Sequence, residues 1–110
     1  MKPVIKKQLE IYVTPEGKRP FIDWLEALKD KKARFRIKER LDRMSLGNLG
    51  DYKSLGNGLY EIRLAFGPGY RIYCGQEDDR IILLLCAGDK STQKADIKKA
   101  SVLWKNYLER

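Results

Sequence analysis

The chain has 110 residues, with 23 Lys and Arg against 15 Asp and Glu, a formal charge of +8 and no histidine. That length suits one domain spanning 1–110, and 43% hydrophobic with 35% charged residues describes a globular chain rather than a disordered one. Absent histidine excludes imidazole triads, His-based metal sites and the usual general base at neutral pH, and the longest apolar run, 81–87, is too short to span a bilayer.

The first residues, 1–7, lack the apolar stretch of a secretory signal, so a cytoplasmic location is expected. Leu9, Ile11 and Val13 alternate with Gln8, Glu10 and Tyr12, the period of a first strand. Thr14-Pro15-Glu16-Gly17 turns the chain. Pro20 is suited to open a helix with Phe21, Trp24, Leu25 and Leu28 on one face. A second helix follows, with Ala33, Ile37, Leu41 and Met44 inward and Arg34, Arg36, Lys38, Arg40 and Arg43 on its other faces; Gly47-Asn48 ends it.

Lys53 sits in a short strand or loop. Tyr60, Ile62, Leu64 and Phe66 then alternate with Glu61, Arg63 and Ala65. Gly67-Pro68-Gly69 connects them to the strand 70–74, and Glu77-Asp78-Asp79-Arg80 makes a hairpin tip. The run 81–86 is apolar on both faces and predicts a central, covered strand. Cys74 and Cys86 fit buried free thiols in a reducing compartment, a cross-strand disulfide being the alternative. Ser91 or Thr92 caps a last helix with Ile97, Ala100, Trp104 and Leu108 inward. The order β-α-α-β-β-β-α predicts an α+β fold, a small antiparallel sheet with two N-terminal helices and one C-terminal helix.

Strand alternation sorts the candidate chemistry by face. If Tyr60 and Ile62 point to the helices, Glu61, Arg63, Arg71 and Tyr73 share the opposite face. Two arginines beside an aromatic ring suit a phosphate and a stacked base; the plainer reading pairs an arginine with Glu61 in solvent. Gly88-Asp89-Lys90-Ser91-Thr92-Gln93 joins the central strand to the last helix, where N–H groups and Lys90 can meet an anion, or where a simple capped turn suffices. The excess charge lies in the helices and tail, with 48–87 close to neutral, so it steers the chain toward phosphates in a salt-sensitive way.

The segments 46–51, Glu61-Ile62-Arg63-Leu64, Gly67-Pro68-Gly69-Tyr70-Arg71-Ile72-Tyr73 and 83–93 resemble the RelE/ParE superfamily of toxins. Within it they resemble the phage-derived Gp49-like, HigB-type addiction-module killer proteins. The likeness covers roughly 20–105, and Gly-Asp-Lys-Ser-Thr-Gln is its most specific part. It implies the toxin of a type II toxin–antitoxin system, either a ribosome-dependent mRNA endonuclease or, of ParE type, a gyrase inhibitor that binds without catalysis. It also implies a cognate helix-turn-helix antitoxin, with operator DNA reached only through the toxin–antitoxin complex, and neither a cofactor nor a metal.

Position by position, Arg71 matches the arginine that stabilises the scissile phosphate. Arg63 matches a basic residue of the preceding strand, and Lys90 lies near an arginine after the last strand. Asp96 stands where RelE-like members carry a tyrosine. The resemblance thus implies attack of a 2′-OH on the phosphate, giving a 2′,3′-cyclic phosphate and a free 5′-OH. Arg71, Arg63 and Lys90 would be catalytic; Lys53, Tyr73 and Asp96 would line the RNA, with Tyr73 orienting a base and Lys53, Lys90 or Asp96 serving as base.

Overall fold

The computed structural model describes residues 6–110, so residues 1–5 of the stretch 1–7, which bears on the expected absence of a signal, lie outside them. The elements run β1 (Gln8–Ile11), α1 (Pro20–Ala27), α2 (Lys31–Ser45), β2 (Tyr52–Gly56), β3 (Leu59–Arg63), β4 (Arg71–Glu77) and β5 (Ile81–Gly88). A 3₁₀ turn (Lys90–Thr92) then leads into α3 (Gln93–Leu108). The five strands form one sheet in the order β1-β5-β4-β3-β2. The α+β class stands, and the architecture is compatible with a RelE-like fold.

One alternative in the expected sheet is decided and one detail needs correction. Lys53 lies in a true strand, β2, paired antiparallel to β3 at the sheet edge. The first strand joins β5 in parallel, so the sheet is mixed. Parallel pairing requires a long crossover, which α1, α2 and the β2–β4 meander supply.

The sheet is covered on both faces. Pro20 opens α1, and Asp30 caps α2 by accepting from the N–H groups of Lys32 and Ala33. Both helices bury their apolar stripes (Phe21, Leu25, Ala33, Ile37 and Met44) on Ile62, Ile72, Cys74, Ile82 and Leu84. On the opposite face Ala100 and Trp104 of α3 pack on Leu59, Tyr73, Leu83, Leu85 and Cys86. Leu108, expected inward, is exposed. Arg40, expected on the solvated side of α2, is buried; its guanidinium donates to the carbonyls of Leu49 and Asp51 and ties down the loop into β2.

The β4–β5 ladder is interrupted between Tyr73 and Cys74, where Leu85 is an extra residue in β5. This bulge turns both Leu85 and Cys86 toward α3 and reverses the alternation beyond them. Gly88 consequently lies beneath the first turn of α3, where a Cβ would collide with the Asp96 carboxylate.

Cys74 lies in the α1–α2 core and Cys86 in the α3 core, on opposite faces of the sheet, so the two free thiols do not bridge. Burial pushes both up to about 12. Neither thiol is expected to react with Ellman's reagent in the native protein, and both should react promptly in denaturant. Fast native labelling of either would contradict this packing.

Trp104 crosses β4 at Gly75, where a Cβ would drive into the indole ring. The ring is fixed by its Nε1 donating to the Asn57 carbonyl at 2.7 Å. Gly75→Ala is therefore expected to cost about 1–3 kcal/mol by overpacking. Urea unfolding should show a lower midpoint with an unchanged slope.

Candidate functional site

The α3-facing side of the sheet carries two rows of residues set by strand register. Arg63 of β3, Arg71 of β4 and Gly88 of β5 form one row; Lys53, Glu61, Tyr73 and Cys86 form the next. Direct register partners on one face lie within reach of each other. The expected grouping of Glu61, Arg63, Arg71 and Tyr73 on one face is thus the observed one, with the addition that α3 covers part of it.

Glu61 is the centre of this arrangement and is 0% exposed. Its Oε1 accepts from Arg63 Nε at 2.9 Å, and its Oε2 accepts from Tyr73 Oη at 3.0 Å and Gln93 Nε2 at 2.9 Å. Burial pushes the carboxyl upward, but the bonds from Gln93, Arg63 and Tyr73, with the Arg63 charge, outweigh it and hold Glu61 below the usual carboxylate range. Because Arg63 is held through Nε, the far end of its fork is left for another ligand; the side chain is 36% exposed.

Tyr73 must be reassigned. It is 0% exposed, in the α3 core, and its hydroxyl is committed to Glu61. Burial, then the Glu61 charge and bond, hold the phenol well above its ordinary value. A ring enclosed in this way cannot stack on a base; it supports the carboxylate that supports Arg63. Alternation placed Tyr73 on the correct face, but one strand in isolation does not reveal that a helix lies over it.

Arg71 opens β4 directly after Gly69-Tyr70. Gly69 adopts φ +78°, and a Cβ there would press on Arg71 Nη1 and meet the Lys90 side chain at ordinary contact distance. Glycine thus serves both the left-handed turn and the close approach. Nη1 donates to the Gly69 carbonyl at 2.6 Å, while Nε is buried without a partner among the described residues. Among the described residues Arg71 makes no ion pair, in contrast to Arg63. Lys90 borders this arginine across Gly69 and is exposed, as is Lys53 on the edge strand.

The segment 88–93 is a capped turn. Asp89 accepts from the Ser91 hydroxyl at 2.5 Å and the Ser91 N–H at 2.8 Å. The hydroxyl bond, opposed by burial and aided by the N–H groups of Ser91 and Thr92 and by the Arg71 charge, holds its carboxyl below the ordinary range. Asp89 is the side-chain cap here, whereas Ser91 and Thr92 were the expected ones; Thr92 precedes α3 without capping it and instead donates its hydroxyl to Asp96 Oδ2 at 2.5 Å. Asp96 is thereby held over Gly88 on the wall beside Tyr73 and Cys86. The turn delivers Gln93 to Glu61. Sequence reasoning missed Gln93; its only signal was its place at the end of the most specific segment.

Residues 23–105 match the family described as "Phage derived protein Gp49-like (DUF891)". The chain is also 45% identical over 83 residues to an "Uncharacterized protein" of Haemophilus influenzae, the match covering 76% of this chain and 84% of that protein. The match spans every element that builds the site, from the body of α1 to the end of the Glu61–Gln93 network and beyond it through Trp104. By this match the chain belongs to the phage-derived Gp49-like family, within the RelE/HigB-type toxin group.

Proposed function

We infer that the protein is the toxin of a type II toxin–antitoxin pair and cleaves mRNA on the ribosome. The observation that carries this reading is the Arg63–Arg71 register pair, with Arg71 in no ion pair among the described residues, although its charge also acts on the nearby Asp89 carboxylate. In the cleavage an adjacent 2′-OH gives its proton to a base (Lys53, Lys90 or Asp96), bonds to phosphorus and expels the 5′-oxygen, which is protonated to a free 5′-OH. The transition state adds negative charge to the phosphoryl oxygens, and fixed guanidinium groups stabilise it. In this reading Arg71 holds the scissile phosphate, Arg63 presents the free end of its fork to the same group, and Lys90 supplies charge near the leaving oxygen. Lys53 extends the cationic edge along the RNA, and Asp96 is the carboxylate on the wall. The family supports an antitoxin partner, and a helix-turn-helix protein that also carries the complex to operator DNA is the expected form.

The cytoplasm is the matching location. No helix of the described residues is long and apolar enough to cross a membrane. The purified protein, added to a translation reaction, should cut the translated message at discrete sites seen by primer extension, leaving 2′,3′-cyclic phosphate ends. An intact message together with inhibited supercoiling by gyrase would replace this reading with the ParE-type one.

A further inference from the structure

The β3–β4 loop has a second cationic feature on its other side. A hollow of about 280 Å³ is lined by Arg36, Arg40 and Arg43 of α2 together with Leu64, Ala65 and Phe66, with Glu39 as the acid on its wall. Arg36 lies over the Phe66 ring, 5.0 Å from its centre, so a flat cationic and aromatic surface borders the opening. Arg40 forms the floor, fixed by the carbonyls of Leu49 and Asp51. Burial and then the Arg43 charge push the Arg40 guanidinium downward, with Asp51 opposing. Arg36 and Arg43 are exposed and make no ion pair among the described residues.

The position of the hollow connects it to the site. Leu64, Ala65 and Phe66 directly follow Arg63, and Tyr70 closes the same loop by accepting from the Leu64 N–H at 3.0 Å just before Arg71. The Arg63–Arg71 row and the hollow therefore lie at one end of the sheet, on opposite faces, with only the 64–70 loop between them.

We propose that the hollow formed by Arg36, Arg40, Arg43 and Phe66 is a phosphate-binding subsite for the same polynucleotide, holding the strand where it passes round the β3–β4 loop. The proposal rests on the polynucleotide reading above and names where the strand continues. Arginine forks suit phosphate oxygens, and a half-exposed ring beside them suits a base. A single acid among three arginines leaves the charge balance in favour of an anion.

The test is binding of a fluorescently labelled single-stranded RNA oligonucleotide of mixed sequence to the full chain, measured by anisotropy over a range of salt. Each phosphate contact contributes about 0.7 to the slope of log K against log salt for single strands, so removing two lowers it by about 1.4. The Arg36→Ala, Arg43→Ala double variant should show that loss, and the Arg36→Lys, Arg43→Lys variant should retain the wild-type slope. Both positions are exposed and alanine favours helix, so the fold is preserved. A double alanine variant with the wild-type slope overturns the subsite, as does absence of RNA binding by the wild type. Unchanged RNA binding with lost affinity for the antitoxin also overturns it, making the hollow a protein-docking surface. Cleavage by Arg71→Ala is scored separately, so failure of the nuclease reading is seen independently of the slope.

Discussion

Arg71→Ala is expected to reduce single-turnover cleavage of translated mRNA by about 10²–10³, the range for removing one preorganised donor to a developing oxyanion. Arg71 makes no ion pair among the described residues, and its one hydrogen bond is to the Gly69 carbonyl, so truncation removes little support from the fold. A cooperative unfolding transition near that of the wild type should accompany the loss. Arg71→Lys should recover part of the rate, because a lysine supplies the charge without the planar fork. Arg63→Ala should also slow cleavage, but it leaves Glu61 a buried carboxylate with one partner fewer, so its effect mixes stability with chemistry. Cleavage by Arg71→Ala at close to the wild-type rate would remove the phosphate role from this residue, and with it the nuclease mechanism.

The largest stability effect is expected at Glu61. Glu61→Ala removes the acceptor of three donors from two strands and a helix, and breaking a buried charged network in this way costs about 3–5 kcal/mol. Glu61→Gln keeps the shape and should cost less. It also provides the pH test. The folded carboxyl is held below its unfolded value, so its contribution is present above the unfolded pKa and is lost as pH falls through the folded one. Wild-type stability should thus fall on acidification through and below the usual glutamate range, and Glu61→Gln should lack that part of the fall. Urea titrations at a series of acidic pH values measure it; parallel curves for the two proteins would show that Glu61 is not the group responsible.

The same network explains why the site was only partly legible beforehand. Period-2 alternation sorted Glu61, Arg63, Arg71 and Tyr73 onto one face, because side-chain direction along a strand is local geometry. Burial is not local. Tyr73 is enclosed because Trp104 and Ala100 approach from far along the chain, and Gln93 reaches Glu61 across 32 residues. Arg40 likewise has the spacing of a solvated helix face, and it is buried because the loop at Leu49 and Asp51 offers it two carbonyls.

By itself the sequence determined the α+β class, the helix faces apart from Arg40 and Leu108, the covered central strand, the likeness to RelE/ParE toxins and the few cations available for chemistry without histidine. The likeness rests on its motif residues; the rest follows from periodicity, capping residues and composition, which act over a few positions at a time. Only the tertiary structure decided the parallel docking of β1 on β5, the Leu85 bulge that turns Gly88 beneath Asp96, and the conversion of Tyr73 from a surface ring into support for Glu61. Each depends on which distant element covers a given face, and hydrophobic burial selects that partner through the fit of whole surfaces rather than through any local pattern.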